Sequence, residues 1–78
     1  MSDEKFDSLG RHLTLAEVGD ERGSQRRKAR SWGIAEPTFS QVLRGMAPAS
    51  LDFAAAVEVG TEGRVPAISW RQPPPAGE

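Results

Sequence analysis

The sequence predicts a small all-α domain built around a helix-turn-helix, and three observations predict it. Residues 24–45 carry two short helical patterns joined by a glycine turn, the 78-residue chain has no cysteine to staple any other small fold, and positive charge collects on that same stretch. Ser24 suits the N-cap of the first helix, because a serine hydroxyl accepts an orphan backbone N–H at a helix start. Ala29 and Trp32 lie three apart and share an inward face, with Gly33 placed as a left-handed closing residue. Glu36 and Pro37 open the second helix, since proline has no N–H to lose in a first turn and its φ is already helical. Phe39, Val42, Leu43 and Met46 then repeat at the 3–4 spacing of one apolar face. Helix, tight turn and second amphipathic helix together give the helix-turn-helix layout.

The flanking segments bring the expected total to four or five short helices. Phe6, Leu9 and Leu13 have helical spacing, weakened by Gly10. Thr14 and Glu17 have the spacing of a capping box, so Leu15 to Glu21 reads as a further helix that lays Leu15 and Val18 under the central pair. After the pair, Gly45-Met46-Ala47-Pro48 is a loop with two helix breakers. Ser50 or Ala49 starts a helix to about Val59, with Leu51, Ala54 and Ala55 on one side and Gly60 ending it. Thr61-Glu62-Gly63 is a turn. Arg64 to Trp70 is either a terminal turn of helix or an extended segment packed on the core or on a second subunit. Pro73-Pro74-Pro75 excludes regular structure, so the domain is expected over 1–70, with its core at 24–45 and a disordered, flexible tail over 71–78.

Composition narrows the function classes. At 78 residues and 37% hydrophobic content the chain is one domain with a modest core, which makes help from a partner subunit reasonable. No apolar run approaches the ~18 residues of a membrane span, and the acidic start does not resemble a secretory signal. A soluble cytoplasmic protein, associated with the nucleoid, is the expectation. Catalysis lacks parts. His12 is the only histidine, there is no cysteine, and the pairs Asp3-Glu4 and Asp20-Glu21 are sequence neighbours that diverge on a helix. No metal site, no cofactor and no enzyme activity are expected.

The charge pattern is more specific than the net charge of −1. From Arg22 to Gly45, Arg22, Arg26, Arg27, Lys28, Arg30 and Arg44 face the single acid Glu36, a window charge of +5 that leaves −6 on the remainder. Positive charge confined to a helix-turn-helix suits a polyanion. In such a unit the second helix lies in the major groove, which nominates Ala35, Glu36, Pro37, Thr38, Ser40, Gln41 and Arg44. Gln41 is the strongest reader, since its amide matches adenine N6 and N7. Arg44 can reach guanine or phosphate, Glu36 can accept from cytosine N4, Thr38 and Ser40 suit phosphate, and Thr38 also suits a thymine methyl. On the first helix Gln25 sits at the N–H-rich end, and Arg26, Arg27 and Arg30 cross the backbone. Lys28 is read as lying along the core edge, and Trp32 and Phe39 as core rather than base-stacking aromatics.

The same run resembles the helix-turn-helix of the Cro-like repressors of phages and prophages, the lambda-repressor-like group, including its YdaS-type antitoxin-like branch. Gly23, Ser24, Gln25, Ala29, Gly33 and Ile34 carry the first half of the likeness. Pro37, Thr38, Phe39, Ser40, Gln41, Leu43, Arg44 and Gly45 carry the second, and a weaker likeness runs through Pro48 to Gly63-Arg64-Val65. The likeness spans residues 22–66. Lys28, Trp32 and Glu36 depart from the usual apolar residue, leucine and glutamine. The resemblance implies a bacterial or phage setting and transcriptional repression at a double-stranded DNA operator. One reading helix spans few base pairs, so a homodimer on an inverted repeat is expected, through the last helix with Val65, Ile68 and Trp70. Two other roles stay open. One is an antitoxin-like member of a two-protein pair; the other is a protein-interaction module or activator that contacts RNA polymerase.

Overall fold

The computed structural model describes residues 6–19 and 23–75, and all regular structure among them is helical. Four α-helices follow in order: α1 (Leu9–Val18), α2 (Ser24–Ser31), α3 (Glu36–Leu43) and α4 (Leu51–Gly60). A 3-10 helix over Ala67–Arg71 closes the fold. α2 packs on α3, α1 lies against both, and the 3-10 helix wedges between α1 and α4.

Local chemistry explains the element boundaries. Ser8 and Ser50 cap α1 and α4, their hydroxyls accepting from the N–H groups of Arg11 (3.2 Å) and Phe53 (3.1 Å). Pro37 sits in the first turn of α3, as expected. Gly33 has φ of +72°, the left-handed conformation that ends α2 and turns the chain into α3. Thr61 does the work after α4. Its buried hydroxyl donates to Val57 O (2.8 Å) and accepts from Val65 N–H (3.0 Å), which folds the following segment back onto the core.

Val18, Ala29, Phe39, Val42, Leu43, Phe53, Val57 and Val65 form the core. Four of the five aromatic rings run through it in sequence of contact. Trp32 meets Phe39 edge-on at 5.8 Å, Phe39 stacks on Phe53 at 5.8 Å, and Phe53 meets Trp70 edge-on at 5.5 Å. Each end of this row lies on a glycine. The Trp70 indole covers Gly10 of α1, and the Trp32 indole covers Gly60 of α4. The arrangement settles Trp32 and Phe39 as core residues.

Several expectations need correction. One helix, Leu9–Val18, takes the place of two in the first segment. Thr14 caps nothing; its hydroxyl bonds Gly10 O at 2.7 Å inside α1, the usual behaviour of a threonine within a helix. The expected continuation to Glu21 lies outside the described residues. Ser24 is the first residue of α2 and Gly23 is its N-cap, with φ of +81°. Met46 is exposed, because α3 has already ended at Leu43. On α4 the inward residues are Phe53, Ala54 and Val57, and Leu51 points out at 79% exposure, one position off the expected face. The ordered chain also passes Arg71, where the tail was expected to begin: Arg71 closes the 3-10 helix, and Gln72 O accepts from Leu9 N–H at 3.0 Å.

Candidate nucleic-acid interface

α2 and α3 pack against each other and each carries exposed polar residues. On α2, Ser24 and Ala29 are buried, Gln25 and Lys28 are half-buried, and Arg26, Arg27 and Arg30 are exposed. On α3, Phe39, Val42 and Leu43 turn inward and Glu36, Pro37, Thr38 and Gln41 face solvent, with Arg44 exposed just past the helix end. Thr38, Gln41 and Arg44 are spaced by three residues and so line one outer face. Ser40 is half-buried and borders the neighbouring cleft.

That open cleft, about 590 Å³, lies where the two helix starts meet. Gly23, Gln25, Arg26, Glu36, Pro37, Phe39 and Ser40 line it. Arg26 Nε stands 3.3 Å from Glu36 Oε1 across the cleft, tying the start of α2 to the start of α3. Both partners are solvent-exposed, so the pair contributes ~0–1 kcal/mol and opens readily. Among the described α-helices, α2 and α3 are the two without a side-chain N-cap, since Gly23 and Ala35 carry no hydroxyl or carboxylate to supply one. Helix starts of this kind favour phosphate oxygens, through their N–H groups and the positive end of the helix dipole.

The sequence-nominated residues therefore fall into two groups. Gln25, Arg26, Glu36, Pro37 and Ser40 are brought together around the cleft, while Arg27, Arg30, Thr38, Gln41 and Arg44 are exposed on the same two helices or just past them. Val65, Ile68 and Trp70 do not form a shared outer patch. Val65 is fully buried, because Thr61 draws its backbone inward, and Trp70 is half-buried against Phe53 and Gly10. Only Ile68 stays exposed, at 58%. Lys28 lies 5.8 Å from the Trp32 ring centroid, along the edge of the core. Gly23 was not nominated beyond its place in the motif. Its left-handed backbone opens α2 and shapes the cleft rim, and a glycine directly ahead of a capping-type serine is the signal that marks it.

Among the described residues, no three His, Asp or Glu side chains gather as a metal site would need, and no helix is long and apolar enough to cross a membrane. Compared with protein-family profiles, characterised proteins and solved structures, the chain matches none.

Proposed function

We propose that the α2–α3 surface binds double-stranded DNA, with α3 in the major groove, and that the protein regulates transcription as a repressor. One observation carries this reading. The exposed stripe of Thr38, Gln41 and Arg44 belongs to a helix packed on α2, whose exposed side chains include Arg26, Arg27 and Arg30, so base-reaching and phosphate-reaching groups lie on adjoining helices. The uncapped starts of α2 and α3 add N–H groups to them. The resemblance to Cro-like repressors supports the same conclusion and points to an operator with inverted-repeat symmetry. On this reading the chain is a binding protein without catalytic chemistry.

A homodimer follows from the size of the reading unit, since one short helix specifies only a few base pairs. With Val65 and Trp70 drawn inward, the large apolar side chains still exposed on α4 and the segment after it are Ile68 and, on α4, Leu51 and Val59, at 79% and 78%. The same exposed side of α4 favours a second reading, in which a protein partner docks there as in a two-protein regulatory pair.

The direct test is fluorescence anisotropy with duplex DNA over a salt series. Arg27→Ala should weaken binding to every duplex alike and make the log–log salt slope shallower by about one unit. An unchanged slope would place α2 away from the DNA backbone.

A further inference from the structure

The carbonyls at the end of α3 are satisfied one by one. Ser40 O accepts from Arg44 N–H at 3.0 Å, Gln41 O from Met46 N–H at 2.9 Å and Val42 O from Gly45 N–H at 3.0 Å. The regular i+4 bond closes Ser40 O and the reversal at Gly45, with φ of +75°, closes the next two, so three of the last four carbonyls of α3 have backbone partners. The fourth, Leu43 O, accepts from Arg11 Nε of α1 at 2.8 Å. Phe6 N–H adds a bond to Gly45 O at 3.2 Å, so residues 6–11 clasp this end of α3.

Arg11 is only 6% exposed, which rules out a role in touching DNA. Its Nη1 lies 2.9 Å from Asp7 Oδ1, and His12 Nε2 lies 2.9 Å from the same oxygen. The planar guanidinium fork lets one N–H hold Leu43 while another holds Asp7, a geometry that a lysine ammonium does not reproduce. Its charge also complements the negative end of the α3 dipole. The Arg11 bond lies at the end of α3 next to Gln41 and Arg44.

We infer that Arg11 is a positioning residue for DNA reading: through the Leu43 carbonyl it sets the rotation and tilt of α3, and so where Gln41 and Arg44 meet the bases. The inference rests on the DNA reading of the α2–α3 surface. Its signature is a loss of selectivity without a loss of charge-driven binding, because the phosphate-facing arginines on α2 are untouched.

The test compares Arg11→Lys and Arg11→Met with the wild-type chain, at a temperature well below each melting transition. Affinities are measured for a duplex selected by the wild-type protein and for an unrelated duplex. Both variants should lose about tenfold in preference for the selected duplex. Affinity for the unrelated duplex and its salt slope should match wild type. Amide exchange at Arg44, Gly45 and Met46 should quicken in both. Unchanged selectivity would overturn the inference, and so would equal losses on the two duplexes, which report general loosening. A wild-type chain that binds no duplex would instead remove the interface reading and this inference with it. Exchange would then show separately whether Arg11 holds α3.

Discussion

Gly10 shows how one residue can carry opposite meanings at two levels. By helix propensity it weakens α1, and alanine in its place would gain about 1 kcal/mol. In the fold a Cβ there would stand 2.5 Å from the Trp70 ring, too close for either to remain in place. Gly10→Ala should therefore destabilise the protein by about 1–3 kcal/mol, the usual cost of overpacking, and lower the melting temperature. A rise would mean that the indole moves aside freely. Gln41 is the corresponding test at the interface. Its side chain lies on the exposed stripe and supports no core contact, so Gln41→Ala should relax base preference at one position per half-site and leave non-specific affinity nearly intact. Uniform weakening on all duplexes would reduce Gln41 to a phosphate contact. The two residues also differ in how far sequence reveals them. The spacing of Gln41 against Phe39, Val42 and Leu43 makes its outward direction legible. Nothing near Gly10 announces a tryptophan sixty residues away, nor does anything near Arg11 announce the carbonyl of Leu43.

Among the elements, α2 and α3 were legible because their signals are local. Gly33 needs a left-handed backbone, Pro37 fits only a first turn, and the apolar spacing assigns the faces. α1 was misread for the same locality: Thr14 and Glu17 have capping-box spacing, but the helix has already begun at Leu9 and each side chain is used elsewhere. Glu17 takes a two-pronged bond from Arg64, at 2.9 and 3.1 Å. That bond, more than desolvation opposes it, holds the Glu17 carboxyl below its ordinary value of 4.5. Burial pushes the Asp7 carboxyl up, and the facing His12 and Arg11 with the Ser8 N–H reverse this, leaving it below 3.8. Both groups are depressed on folding, so the unfolded chain binds protons more readily. Their stabilisation is full above those ordinary values and drains away as pH falls below them, through the folded values. Glu17→Gln should accordingly flatten the fall of melting temperature on acidification below 4.5. An identical acid profile in the variant would show that the Arg64 bond contributes nothing. The turn after α4 has its own test. Thr61→Val leaves the buried Val65 N–H without its acceptor, which should cost about 1–3 kcal/mol in denaturant unfolding.

At the scale of the molecule, charge and apolar surface are arranged on different elements. Arg26, Arg27 and Arg30 are exposed on α2 and Arg44 just past α3, while α4 carries Asp52 and Glu58 beside the exposed Leu51 and Val59. The all-helical class was legible from patterns repeated along the chain. The packing that closes it, with Trp70 on Gly10 and Val65 drawn inward by Thr61, was not, because long-range contacts leave no periodic trace. That is why a surface role was assigned to Val65 and Trp70, and why a dimer contact through Ile68, Leu51 and Val59 is now the expectation. Whether the α2–α3 surface reads a DNA sequence is decided by sequencing the duplexes that the purified protein retains from a random library at about 150 mM salt. The account predicts enrichment of a short motif in inverted repeats, with half-sites about one helical turn apart. A folded protein that enriches no sequence would contradict it.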